Sequence, residues 1–152
     1  MGVAELHRAL ELARSGENAY FLPPVSEARI EEVERYLGVR FPPSYREFVA
    51  SVGCASFAAR EFYGITPDGI ADMSVPSVAF ATADQRRYGL PHPFIVIEAP
   101  GTEEEYVLDT GDLGPDGEAR VKVWIPGRDP ASLEVIADDF GTYLLTAAES
   151  GD

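Results

Sequence analysis

Apolar residues at helical spacing mark the first predicted element of the chain. Four of them recur every three or four positions: Val3, Leu6, Leu10 and Ala13. Residues at this spacing fall on one face of a helix, and the positions between them are mostly polar or charged. The pattern predicts an amphipathic helix over residues 2–14.

Two further helices are predicted between residues 23 and 53. Ser26 is placed to cap the N-terminus of the first helix. Gly38 ends that helix, because a helix often terminates at a residue in the left-handed conformation, which glycine adopts readily. Phe41-Pro42-Pro43 then turns the chain into the second helix, which ends at Gly53. The apolar stripes of the two helices are Ile30, Val33 and Leu37, and then Tyr45, Phe48, Val49 and Val52. Two short helices joined by a tight turn form a helical hairpin.

The second half of the chain has the pattern of β-strands. Strands are predicted over residues 61–65, 94–98, 105–109, 120–125 and 133–136, with a helical turn at 83–88, a loop at 111–117 and a last helix at 138–148. The strands do not alternate with crossover helices, so the order predicts an α+β fold. We expect a single domain over residues 1–152. In it the N-terminal helix and the helical hairpin pack on a mainly antiparallel sheet, with a C-terminal helix.

The charge of the chain restricts its partners. The formal net charge of the 152 residues is −14. Residues 1–76 contain 11 acids and 7 bases, whereas residues 77–152 contain 15 acids and 5 bases. This balance argues against nucleic acid as a ligand, because phosphate contacts need clustered Lys and Arg. It permits a basic protein partner, whose encounter the opposite field would accelerate.

The sequence also bears on location and redox chemistry. It has no stretch of about 18 consecutive apolar residues, so no transmembrane span is predicted. The N-terminus lacks the basic-then-apolar order of a signal peptide, and we therefore expect cytoplasmic residence. Cys54 is the single cysteine and cannot form an internal disulfide. We expect it to be a small buried apolar residue.

The segment from Val25 to Gly53 resembles the opening motif of the SUKH superfamily. That motif is a helix ending in Leu-Gly, then an aliphatic or aromatic residue with Pro, then Tyr followed by Phe three residues on. The matching residues are Leu37-Gly38, Phe41-Pro42, Tyr45 and Phe48, with further matches at Gly64, the strands at 94–98 and 105–109, Ala137-Asp138-Asp139-Phe140 and Tyr143-Leu144-Leu145. The resemblance covers residues 19–148. It departs at Val52-Gly53-Cys54, where the superfamily usually has an Asn-Gly-Gly type turn.

This resemblance implies an α+β fold and, for bacterial members, immunity proteins that bind and silence polymorphic toxins, often nucleases. A eukaryotic branch acts in cell-wall synthesis and signalling as an interaction protein. Neither branch is defined by a catalytic site, so no catalytic residues are carried over. We therefore expect a SUKH-like (SMI/KNR-like) immunity protein that neutralises a cognate toxin by protein–protein interaction. The alternative is a non-enzymatic regulatory or scaffold adaptor of the SMI/KNR type.

The segment 98–118 contains eight acidic residues and no basic residue. They are Glu98, Glu103, Glu104, Glu105, Asp109, Asp112, Asp116 and Glu118. Like charges this close repel, so they add nothing to the stability of an isolated domain. One interpretation is that they bind the basic surface of a toxin, since nuclease toxins need Lys and Arg to hold phosphate. The alternative is a solvated loop whose acids confer solubility.

Signals for catalysis or a cofactor are weak in this sequence. His7 and His92 are isolated, whereas zinc sites want three or four ligands. The nucleophile signature GxSxG and a phosphate-binding loop with GKS or GKT are absent. The acids between Asp109 and Glu118 do not follow the spacing of an EF-hand loop, so calcium binding is a minor hypothesis. We expect no enzymatic activity, no cofactor and no metal.

Overall fold

A computed structural model describes residues 2–150 of the chain. Residues 1, 151 and 152 of the predicted domain lie outside this range. The described residues form five α-helices: α1 (Val3–Ser15), α2 (Glu27–Leu37), α3 (Pro43–Val52), α4 (Val78–Arg86) and α5 (Phe140–Ser150). They also form seven strands: β1 (Tyr20–Phe21), β2 (Ala55–Phe57), β3 (Arg60–Phe62), β4 (Phe94–Glu98), β5 (Glu105–Leu113), β6 (Ala119–Trp124) and β7 (Val135–Ala137). The predicted α+β class is confirmed.

The strands form two antiparallel sheets that meet edge to edge. The smaller sheet has the order β1-β2-β3, and the larger has the order β4-β5-β6-β7. In the larger sheet Leu108 of β5 lies opposite Ile95 of β4 and Val121 of β6. The backbone amide of Tyr63, just after β3, donates to the carbonyl of Ile97 at 2.8 Å. This bond places β3 beside the outer edge of β4.

The helical hairpin forms from the local signals that predict it. The Ser26 side chain accepts a hydrogen bond from the amide of Arg29 at 3.2 Å, as an N-cap does. Gly38 has φ +73°, the left-handed conformation that ends α2. Pro43 occupies the first turn of α3, where the missing amide hydrogen costs nothing. The predicted helices 2–14 and 138–148 and the strands at 94–98 and 120–125 are likewise present, shifted by at most two residues.

Five predicted elements differ from the structure. The strand predicted at 133–136 is β7 (Val135–Ala137), and the strand predicted at 105–109 extends to Leu113. The predicted strand 61–65 ends at Phe62, because Gly64 leaves the sheet and forms a parallel bridge with Ser77. The helical turn predicted at 83–88 is the longer helix α4, which begins at the Ser77 cap. The loop predicted at 111–117 is shorter, because β5 passes a register irregularity and pairs Leu113 with Ala119. The strands β1 and β2 were not predicted.

The core lies where the helices meet the sheets. Helix α5 packs on β6 and β7, and α1 packs on α5 and α3. Aromatic rings join these layers, since the Phe140 ring centroid lies 4.9 Å from that of Phe48 and 5.0 Å from that of Tyr45. Trp124 is fully buried, as expected for a core residue.

Gly53, at the end of α3, and Gly64, after β3, allow two backbone segments to pack closely together. A Cβ atom added to Gly64 would lie 1.7 Å from the carbonyl oxygen of Gly53. That carbonyl accepts a hydrogen bond from the amide of Ile65 at 3.1 Å, and the Tyr45 hydroxyl donates to the carbonyl of Tyr63 at 2.8 Å. Any side chain at position 64 would therefore separate α3 from the chain that leads out of β3.

Candidate functional site

The structure divides the eight acidic residues of the segment 98–118 into two groups. Glu98, Asp109 and Glu118 are buried, and Asp112 is held in ion pairs. Glu103 and Asp116 are exposed, and Glu104 and Glu105 are half-buried. The prediction that all eight bind a partner remains a prediction, but only the second group is available to a protein without rearrangement.

Glu98 belongs to a buried cluster with Arg60 and Tyr143. The Arg60 guanidinium donates to both carboxylate oxygens of Glu98, at 2.9 and 2.8 Å, and to the Tyr143 hydroxyl at 3.0 Å. The Tyr143 hydroxyl in turn donates to Glu98. Burial, followed by the charge of Glu98, raises the pKa of Tyr143 well above its usual value. These groups satisfy one another's hydrogen bonds, so Glu98 has a structural role and is not available to a partner.

Glu118 joins three elements at the opposite end of the sheet. Its carboxylate accepts hydrogen bonds from the amide and the hydroxyl of Ser44, at 3.0 and 2.9 Å. The Ser44 oxygen also accepts a hydrogen bond from the amide of Gly141 at 3.0 Å. Burial raises the pKa of Glu118 despite the two hydrogen bonds. This acid links β6 to the first turns of α3 and α5.

Asp109 and Asp112 are neutralised by cations from the neighbouring strand β6. Lys122 lies 2.8 Å from an oxygen of Asp109 and 3.0 Å from an oxygen of Asp112. Arg120 lies 3.0 Å from the other oxygen of Asp112. The hydrogen bond from Lys122 lowers the pKa of Asp112. The four charges cancel, so this end of the sheet carries little of the negative field.

The turn between β4 and β5, together with the first residue of β5, carries three acids that remain unpaired. Glu103, Glu104 and Glu105 have no cation within ion-pair distance among residues 2–150. Burial, and then the charge of Asp84 on α4, raise the pKa of Glu105 to about 7. Asp116 lies on the next turn, where its side chain accepts from the amide of Glu118 at 3.1 Å.

Two acids from other parts of the chain lie near this turn in the folded protein. Glu61 lines one cavity together with Tyr106 of β5. The backbone carbonyl of Glu134 accepts from the amide of Val123 at 3.0 Å, and Val123 lies opposite Tyr106 in the sheet. Neither Glu61 nor Glu134 forms an ion pair within the described range. We call the five carboxylates of this surface the acidic rim: Glu61, Glu103, Glu104, Glu105 and Glu134. Sequence reasoning missed Glu61 and Glu134 because they lie far from the segment 98–118 along the chain.

A polar cavity of about 510 Å³ lies beside the acidic rim. Its walls include Arg60, Glu61, Glu98 and Tyr106. Arg60 is the one cation among these residues, and its charge is matched by Glu98. The cavity and its rim are therefore negative on balance, and they suit a cationic side chain better than an anionic group.

The remaining polar residues named from the sequence make local contacts. His7 lies 3.2 Å from Glu47, and the His92 ring lies 3.2 Å from the carbonyl of Gly38. Cys54 is buried, as predicted, and burial raises the pKa of its thiol to about 12. Within residues 2–150 there is no group of three His, Cys, Asp or Glu side chains placed to hold a metal ion.

Among residues 2–150, no helix has both the length and the apolar composition needed to cross a membrane.

Comparison with known proteins places the chain in a family. No curated protein matches it. A crystal structure of a protein from Pseudomonas syringae pv. tomato has a similar fold, with a TM-score of 0.58 and 21% sequence identity. The match covers 78% of this chain and 89% of that chain. The model of the SUKH_5 family, described as SMI1-KNR4 cell-wall, matches residues 4–148. The chain therefore belongs to the SMI1-KNR4 family of the SUKH superfamily.

Proposed function

We propose that this protein is a cytoplasmic immunity protein that binds a cognate polymorphic toxin and neutralises it by covering its active surface. The observation that carries the proposal is the acidic rim, five carboxylates grouped around the start of β5 and without a cation in ion-pair distance within residues 2–150. Family membership supports a protein partner in general. The proposal adds the identity of that partner, a basic toxin such as a nuclease.

The physical basis of the proposal is repulsion that a partner can relieve. Carboxylates around one turn repel one another, and the half-buried Glu105 also pays for desolvation, as its raised pKa indicates. A surface of Lys and Arg would relieve the repulsion, and its ion pairs would offset the cost of desolvation. Nuclease toxins need such a surface to hold phosphate. The same field would accelerate the encounter, so the acids act on association rate and specificity.

We also propose that the protein acts without catalysis. The buried charged groups are committed to one another in the Arg60–Glu98–Tyr143 cluster and in the Glu118–Ser44 contact. A general acid or base needs an open position from which to exchange a proton with substrate. Side chains that satisfy each other support a structural role for these clusters and a binding role for the surface above them.

A second candidate function follows from the family description. The words "SMI1-KNR4 cell-wall" favour a non-enzymatic regulatory or scaffold adaptor that binds proteins and silences none. The two candidates differ in what binding does to the partner. An immunity protein abolishes the toxicity of one partner, whereas an adaptor leaves its partners active.

The deciding experiment is growth rescue followed by co-purification. The toxin domain encoded beside this gene is expressed with and without the protein, and rescued cells are tested for a stable one-to-one complex. We expect rescue, and we expect it to be lost on the double substitution Glu103→Lys and Glu104→Lys. The matched control is Glu17→Lys with Glu31→Lys, which changes the net charge equally at two exposed acids that have no ion-pair partner within residues 2–150. Absence of both rescue and complex would overturn the immunity proposal and favour the adaptor.

A further inference from the structure

A second feature of the same surface is a small apolar cleft beside β1. Its volume is about 180 Å³. Its floor contains the buried residues Cys54 and Ala55, and its walls include Tyr20, Leu22 and Pro76. An apolar cavity of roughly 150 Å³ holds a benzene ring. The cleft therefore has room for one large apolar side chain.

Exposed apolar side chains lie at this cleft and in the segment that leads to it. Tyr20 is 67% exposed, and Met73 and Val75, which lead to Pro76, are 77% and 45% exposed. Tyr and Met are enriched where proteins bind one another. Large apolar side chains grouped around a cleft indicate a binding surface, whereas singly scattered ones need no explanation.

The charges next to the cleft identify the chemistry of its occupant. Glu61 lines the cleft, and Asp72 lies four residues before Pro76, which forms one of its walls. The Asp72 carboxylate is held by the hydroxyls of Thr66 and Ser74, at 2.6 and 3.0 Å. Within residues 2–150 neither acid has a cation in ion-pair distance. A complementary partner therefore carries Lys or Arg beside its apolar residue.

The cleft is continuous with the acidic rim. Glu61 lines both the apolar cleft and the polar cavity that contains Arg60, Glu98 and Tyr106. Glu61 of β3 thus lies at the boundary between the apolar cleft and the acidic rim. This is the arrangement of protein–protein interfaces, in which an apolar core is surrounded by a polar rim.

We infer that this cleft is the anchor point of the complex. A partner protein inserts one large apolar side chain between Tyr20, Leu22 and Pro76, and its adjacent Lys or Arg residues bind Glu61. The inference rests on the proposed function for the identity of the partner as a toxin, and it adds the residues that hold it. Buried aromatic and apolar anchors of this kind dominate binding free energy, while rim charges contribute less.

The first test uses defined peptides and does not depend on the toxin. The protein labelled with ¹⁵N is titrated with acetyl-Arg-Leu-Arg-amide, and the amide signals of Leu22, Cys54 and Ala55 are followed. We expect saturable shifts at these three amides, and affinity reduced roughly two- to fivefold by Glu61→Gln, as loss of one exposed ion pair implies. Acetyl-Glu-Leu-Glu-amide and acetyl-Arg-Ala-Arg-amide should produce weaker shifts. Equal shifts with all three peptides, or none at the cleft, would overturn the inference.

The second test uses the complex between this protein and the toxin domain that it neutralises in the growth-rescue experiment. Tyr20→Lys should weaken the affinity at least tenfold, because it places a cation at the anchor point of a basic partner. Tyr88→Lys is the matched control, since Tyr88 is 62% exposed, follows α4 and does not line the cleft. Thermal melting of both variants checks that the fold is kept.

The two tests separate the inference from the proposed function. Rescue and a complex that Tyr20→Lys leaves unchanged would overturn the anchor point and leave the immunity function standing. Peptide binding at the cleft without rescue would support the binding surface and overturn the immunity function.

Discussion

Glu118 and Ser44 form a buried contact between residues that lie 74 positions apart in the chain. The carboxylate accepts from both the amide and the hydroxyl of Ser44, and the same hydroxyl oxygen accepts from Gly141. A strand and the first turns of two helices are thereby fixed to one another. The contact belongs to the scaffold beneath the proposed binding surface, not to that surface itself.

Glu118→Ala should lower the free energy of unfolding by about 2–3 kcal/mol, because it leaves the buried amide and hydroxyl of Ser44 without their acceptor. Urea denaturation measures the change. Ser44→Ala should be non-additive with it, since both substitutions break one network. The exposed Glu103→Ala is the control and should stay within about 0.5 kcal/mol of the parent chain. Strictly additive effects would contradict the network.

Arg60→Ala should destabilise the fold by about 3–5 kcal/mol, because it leaves the buried carboxylate of Glu98 without its cation. Arg60→Lys should recover only part of this loss, since lysine cannot donate to both oxygens in the same fork geometry. Arg8, which forms an exposed pair with Glu11, provides the control. Its replacement by alanine should change stability by less than about 1 kcal/mol. Equal losses from the two alanine variants would show that burial of Glu98 does not matter.

Glu105 should make stability fall as the pH rises. Its folded-state pKa is raised from 4.5 to about 7, so its favourable protonated form is fully populated below pH 4.5 and is lost through pH 7. Glu105→Gln cannot ionise and should be more stable than the parent at pH 8, by about 1–3 kcal/mol. At pH 4 the two proteins should differ far less. Glu103→Gln serves as the exposed control, and a stability gap that is the same at both pH values would contradict the assignment.

If the proposed function holds, replacing Glu103 and Glu104 with alanine should weaken binding of the proposed toxin partner and flatten its dependence on salt, while the fold is kept. The reason is that exposed charges act over roughly a Debye length and are screened by salt. Isothermal titration at low and high ionic strength measures both effects. Affinity that is unchanged at low salt would remove the β4–β5 turn from the interface.

Gly64→Ala should destabilise the protein by at least about 3 kcal/mol, the upper range for an overpacked site. Its Cβ would lie 1.7 Å from the carbonyl oxygen of Gly53, so the backbone would have to move. Gly16→Ala is the matched control, because its nearest atom would be 3.5 Å away and its φ is −87°. Thermal melting compares the two, and similar melting temperatures would show that the backbone yields at little cost.

The sequence predicts the elements whose signals are local. Ser26 and Gly38 bound α2 because a cap and a left-handed terminator act within one helical turn. Strand β4 stands out as a continuous apolar run between turn residues. By contrast, β1 has only two residues and exists because it pairs with β2. Nothing in a two-residue segment distinguishes it from a loop.

The candidate site shows the same division between local and distant signals. The segment 98–118 has no base of its own, and from the sequence its eight acids look equivalent. In the structure three of these acids are neutralised by cations from outside the segment. Arg60 of β3 pairs with Glu98, and Lys122 and Arg120 of β6 pair with Asp109 and Asp112. Which acids remain available to a partner therefore depends on strand pairing, and spacing along the chain does not reveal it.

The bond from Tyr63 to Ile97 has a consequence for self-association. All five residues of β4, Phe-Ile-Val-Ile-Glu, are buried, and this strand is the edge of the larger sheet. A bare edge of such composition pairs readily with copies of itself. Here the Thr82 hydroxyl oxygen accepts a hydrogen bond from the Val96 amide at 3.0 Å, and the Tyr63 amide donates to the carbonyl of Ile97. The small sheet and α4 thus shield an aggregation-prone strand, so damage that loosens β3 would lead to aggregation as well as loss of binding.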